Sequence, residues 1–171
     1  DVGGDWDINK YDFNHNLNFF SIINFQYVRD FGYELFSYLS YNLDIGIYGL
    51  NFLLSIIFVY SLHKFTKNFC NNYWLTFVIA FPYLITVVAM GFTRQATALS
   101  FVLIALCSIN NKQILRFVIY SILGLLFHKS SALLSLLILI SYSQFNLKYL
   151  IIITILSVCS FFVISPEITR I

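Results

Sequence analysis

The chain has 171 residues, 59% of them hydrophobic and 11% charged, with a net charge of +2. Its mean hydropathy is +0.79. A soluble domain carries about 25% charged residues, so the composition excludes an ordinary soluble fold, and the charge is too small to point to a nucleic-acid partner. Cys70, Cys107 and Cys159 lie far apart, with no CxxC or CxxxH spacing, and indicate neither a zinc site nor a disulfide framework.

Seven of the eight acidic residues precede position 45, and the eighth is Glu167. This composition shift divides the chain into a polar, aromatic-rich stretch over 1–44 and a hydrophobic bundle over 45–171. The start at Asp1, with no basic n-region or cleavage site, fits an interior stretch of a longer membrane protein. The first stretch opens with Gly3-Gly4-Asp5-Trp6-Asp7 and continues with Tyr11-Asp12-Phe13. Carboxylates interleaved with aromatics suit carbohydrate, because rings stack on sugar faces and carboxylates accept hydroxyl protons. Asp5 or Asp7 could act as a general base, with Trp6 and Tyr11 as sugar contacts. The alternative is a solvated loop, and the Asp5/Asp7 spacing alone is weak evidence for a metal. Farther on, 30–41 reads as a short amphipathic helix at the membrane interface with Glu34 as a further acid.

Six membrane segments follow: Ile45–Leu62, Tyr73–Gly91, Gln95–Ser108, Leu115–Phe127, Ser131–Tyr142 and Lys148–Ser165. The third, fourth and fifth are short for a hydrocarbon core of ~30 Å. Pro82 predicts a kink in the second. The expected fold is therefore all-α: a polytopic transmembrane helical bundle preceded by a polar outer loop. Lys64, Lys67, Lys112, Arg116 and Lys148 fall in alternate loops that hold no acid, which assigns those loops to the cytoplasm. The acidic segment, Arg94, His128 and Lys129 then share the opposite face.

Two polar breaks stand out. One is Gly91-Phe92-Thr93-Arg94-Gln95-Ala96 and the other is Leu126-Phe127-His128-Lys129-Ser130-Ser131-Ala132. Thr93 and Ser130 are candidate N-caps. They would place Arg94, His128 and Lys129 at two helix starts. Such a place suits an anion, and arginine's planar fork matches phosphate oxygens. Imidazole can move a proton or bond a phosphate. The competing reading is that Arg94 snorkels to headgroups and His128 is a satisfied interfacial residue. No GxSxG, Walker loop, GxGxxG or HExxH occurs, so soluble nucleotide chemistry is unsupported.

In order along the chain, Gly-Gly-Asp-Trp, Tyr-Asp-Phe, Phe-Gly-Tyr-Glu-Leu-Phe, Thr-Arg-Gln-Ala and Leu-Phe-His-Lys-Ser-Ser-Ala resemble the EpsG-like polysaccharide polymerases, related to Wzy-type O-antigen polymerases. The resemblance runs from about Gly3 to Leu139. It implies a GT-C-like glycosyltransferase of the bacterial plasma membrane, acting on the periplasmic face and joining undecaprenyl-diphosphate-linked oligosaccharide units. Arg94 would match the family's arginine, His128 its histidine and Asp5 its loop acid. Arg94, Lys129 and His128 would hold the diphosphate, with Asp5, Asp7 or His128 as base and Trp6, Tyr11 and Glu34 at the sugar. The partners implied are membrane lipid and a chain-length regulator protein; neither cofactor nor metal is expected. The alternatives are an O-antigen ligase or another membrane transferase using a lipid-linked sugar, and a non-enzymatic transporter or flippase.

Overall fold

The computed structural model describes residues 6–15 and 30–142. Every regular element among them is helical. We label these α1 (Trp6–His15), α2 (Phe31–Asn42), α3 (Gly46–Phe69), α4 (Tyr73–Ala80, continued as a π-helix over Phe81–Ala89), α5 (Thr93–Asn110), α6 (Ile114–Phe127) and α7 (Ser130–Tyr142). Contacts divide the chain into two compact units, Asp1–Ser135 and Leu136–Ile171. Of the second unit, the described residues are the last turns of α7.

The stretch expected as an outer loop contains α1. Trp6, Asn9 and Phe13 recur at helical spacing on its covered face, Asn9 and Phe13 buried. The two aromatics have tertiary anchors, which polar composition alone does not reveal. Trp6 meets the Tyr48 ring at 5.6 Å and Phe13 meets the Tyr41 ring edge-on at 6.1 Å. The chain then turns sharply between α2 and α3. Gly46 takes a left-handed φ of 67° that glycine adopts without strain, and the Ser40 hydroxyl donates to its carbonyl at 2.7 Å.

Among the described residues, α3 is the one helix long and apolar enough by itself to cross a membrane. Its 24 residues span ~36 Å at 1.5 Å each. The other helices are shorter, so a count of six membrane segments goes beyond what these lengths support. Five of the six expected segments do coincide with helices; the sixth, Lys148–Ser165, lies outside the described residues. The first was placed too short. α3 runs on to Phe69 and carries His63, Lys64 and Lys67 in its last turns rather than in a loop. Lysine is a good helix former whose stem stays on apolar surface while its charge reaches out, and Lys64 lies over the Tyr120 ring at 6.0 Å. Around Pro82 the helix runs as a π-helical stretch, where Pro82 supplies no N–H and the Thr86 hydroxyl donates to its carbonyl.

Helix α5 lies at the centre, packed on α6, α3 and the π-helical stretch. Many of its buried residues are small, among them Ala96, Ala98, Ser100, Ala105, Cys107 and Ser108. Small residues allow the close helix approach that membrane bundles use. The buried hydroxyls satisfy themselves along the helix. Thr97, Ser100 and Ser108 donate to the carbonyls of Thr93, Ala96 and Ile104 at 2.8, 2.8 and 2.9 Å. Facing outward are Phe52, Ile56 and Val59 of α3, Trp74 and Val78 of α4, and Leu115 of α6, all exposed. An apolar exterior of this kind suits lipid and is unfavourable in water.

Candidate functional site

Three helix ends meet over an aromatic floor. The N-terminus of α2, the N-terminus of α5 and the C-terminus of α6 are held together by one core cluster, which includes Tyr33, Ile47, Leu50, Ala98 and Phe127. The Phe127 ring packs against Phe36 at 5.5 Å and Phe101 at 5.4 Å, tying α6 to both α2 and α5. Gly32 makes the closest approach. A Cβ built there would lie 2.9 Å from the Phe127 ring and 3.0 Å from the Leu126 carbonyl oxygen, so no side chain fits without movement. This contact brings the start of α2 against the residue just before His128.

Arg94 is the second residue of α5 and is buried at 7% exposure. Its guanidinium carbon lies 5.6 Å from the centre of the Tyr33 ring, within cation–π range. A cation in the first turn of a helix is disfavoured by the helix dipole, so a buried arginine there calls for an anion. That anion is Asp30, whose Oδ2 lies 3.5 Å from Arg94 Nη1. The same oxygen lies 3.7 Å from His128 Nδ1. His128 ends α6 in extended conformation, with its N–H bonded to the Gly124 carbonyl at 3.0 Å. Its own carbonyl accepts from the Ser131 N–H at 3.1 Å and the Ser131 hydroxyl at 2.8 Å. The backbone is thus fixed on both sides of the imidazole.

Burial pushes the Asp30 carboxyl above its ordinary value, although His128, Arg94 and Lys129 all pull it down. Burial likewise pushes the Tyr33 phenol up to about 12, against the opposing pull of Thr93 and Arg94. Arg94 and Lys129 thus both act on the one carboxylate of Asp30.

The structure brings Arg94 and His128 together and leaves Lys129 exposed beside them. Asp7 and Tyr11 are both exposed, one turn apart on the side of α1 away from its buried face, while Trp6 is half-buried. Glu34 is buried at 8% exposure rather than offered on the interfacial face. Asp5 lies outside the described residues. The two expected caps are displaced by one position: Thr93 and Ser130 are the first residues of their helices, and the N-cap of α5 is Phe92. Ser131, one residue later, makes the hydroxyl contact that closes the turn.

Sequence reasoning passed over Asp30, Gly32 and Tyr33. The signal for Asp30 was an acid directly before an apolar, aromatic helix, which reads most simply as a helix cap.

An apolar helical bundle with an arginine, an imidazole and a carboxylate gathered at its helix ends has the make-up of a membrane protein. The chain belongs to the EpsG family, which it matches over residues 1–169 and which is associated with glycosyltransferase-like polymerases. No curated protein and no solved structure matches it with significance.

Proposed function

We propose that this protein is a membrane glycosyltransferase that polymerises undecaprenyl-diphosphate-linked oligosaccharide units into O-antigen or exopolysaccharide, working at the extracytoplasmic face of the bacterial plasma membrane. The observation that carries the reading is buried Arg94 sharing one carboxylate with His128, beside exposed Lys129.

The reaction needs a group that stabilises charge on a departing diphosphate and a group that takes the proton of the attacking sugar hydroxyl. Arg94 suits the first role, because a guanidinium fork bonds phosphate oxygens in pairs and does so most strongly where water is excluded. Lys129 adds a second positive charge at the exposed rim. His128, Asp5 and Asp7 are the groups able to accept the proton. Asp7 and Tyr11 on the open side of α1, with Trp6 beside them, suit the sugar rings, and Glu34 is the remaining acid of the α2 turn. The basic residues Lys64 and Lys67 at the end of α3 and Arg116 at the start of α6, set against the acidic N-terminal segment, support the extracytoplasmic placement of the site.

The test is Arg94→Ala in the full-length protein, read as a gel of surface polysaccharide. The expected result is loss of the long-chain ladder with accumulation of single lipid-linked units. An undiminished ladder rejects the diphosphate role of Arg94. Accumulation of long lipid-linked chains in a null strain instead identifies a ligase. Lipid-linked units flipped across liposomes without lengthening identify a transporter.

A further inference from the structure

Asp30 occupies the N-cap position of α2 with extended backbone (φ −140°, ψ 106°), yet its side chain makes no capping hydrogen bond. An aspartate there ordinarily accepts from the N–H of the second or third helical residue. This carboxylate forgoes that contact and turns toward the ends of two other helices, one oxygen facing both Arg94 Nη1 and His128 Nδ1. The Asp30 side chain is 9% exposed and that of His128 30%. The imidazole therefore has a dry edge bearing Nδ1, set against the carboxylate, and retains access to solvent elsewhere. A carboxylate against one ring nitrogen selects the tautomer protonated there and leaves the other nitrogen as acceptor.

We propose that Asp30 is a positioning residue that holds His128 in the Nδ1–H tautomer, so that His128 Nε2 accepts the proton of the attacking sugar hydroxyl. The reaction assigned to this proton transfer rests on the polymerase reading; the tautomer does not. On this inference His128 is the base of the proposed reaction.

In the step, the acceptor hydroxyl oxygen bonds to the anomeric carbon of the donor unit. The bond from that carbon to the diphosphate oxygen breaks, and its electron pair leaves with the diphosphate. The hydroxyl proton passes to Nε2 and is later released to the departing diphosphate or to water. While protonated, the imidazolium has Arg94 and Lys129 as like-charged neighbours, which oppose it. Asp30 is its counter-charge. Among the described residues, Tyr33 and Glu34 of α2 also lie in this cluster of ionisable groups, and Asp12 of α1 acts on Tyr33.

The experiment uses full-length protein in detergent micelles with nitrogen-15-labelled histidine. The His128→Gln spectrum identifies the His128 signals against those of His15 and His63. The expected wild-type spectrum shows the Nδ1–H tautomer, shifting toward Nε2–H in Asp30→Asn. Purified undecaprenyl-diphosphate-linked repeat units serve as substrate in the second arm. There Asp30→Asn lowers kcat about a hundredfold with KM within about twofold, and removes the acid limb of the pH profile. Asp30→Glu recovers kcat to within about tenfold of wild type. An Nε2–H tautomer in the wild type overturns the inference without requiring any variant to fold, as does wild-type kcat in Asp30→Asn. Failure of the wild type to lengthen the units rejects the polymerase reading, and the spectrum then decides the Asp30–His128 pairing alone.

Discussion

Asp30 pairs with two basic groups and is still harder to ionise than an ordinary aspartate, because burial outweighs His128, Arg94 and Lys129 together. The folded chain consequently holds this proton more tightly than the unfolded chain. Between the ordinary carboxylate value and the raised one, folding takes up protons, so the contribution of this group to stability falls as pH rises through that window. Below the window the contribution is complete. Thermal unfolding in detergent across a pH series checks this: the melting temperature of the wild type, relative to Asp30→Asn, declines as the solution leaves the acidic range. A difference that stays flat or rises with pH rejects the account. The ionised carboxylate is thus a strain held at the site, of the kind that functional positions carry.

At the level of helices, the site depends on how closely α2 meets the end of α6. Gly32 leaves no room for a Cβ beside Phe127 and the Leu126 carbonyl. Gly32→Ala is expected to cost about 1–3 kcal/mol through overpacking. It should also reduce polymer synthesis in excess of that loss, because it pushes the start of α2 away from His128. Phe127→Ala removes the ring that joins α2, α5 and α6 and is expected to cost about 3–5 kcal/mol. Denaturant or thermal melts of the purified protein measure both. Five apolar segments were legible as helices because long apolar runs admit few alternatives. Arg94 and His128 were legible as charged breaks in those runs. Asp30 was not: an acid before a helix has a sufficient local explanation in capping, and only tertiary packing shows that the cap is not made. The N-terminal helix was missed for a related reason. Its hydrophobic face consists of widely spaced aromatics whose partners, Tyr41 and Tyr48, lie in later helices.

At the scale of the whole molecule, polarity among the described residues is sorted by position. Apolar side chains face outward, self-satisfied hydroxyls lie inside α5, and ionisable groups gather at the helix ends. Lys64 and Lys67 mark the end of α3 remote from the site, and Cys70 follows them. The proposed orientation places Cys70 on the cytoplasmic side and Lys129 outside. In a chain whose only remaining native thiol is Cys70, a membrane-impermeant maleimide applied to intact spheroplasts should label Lys129→Cys and leave Cys70 unreacted until the membrane is opened. Immediate labelling of Cys70 reverses the topology.

The meeting of three helix ends also bears on how the protein is made. Asp30, Arg94 and His128 are separated by whole helices, and each enters the membrane at a different moment of synthesis. A nascent chain that has released α2 and α5 carries Asp30 and Arg94 but not yet His128. Competence for the proposed chemistry therefore arrives late, with the emergence of α6 and the turn into α7, so a stalled or truncated chain is inert toward lipid-linked sugars already present outside.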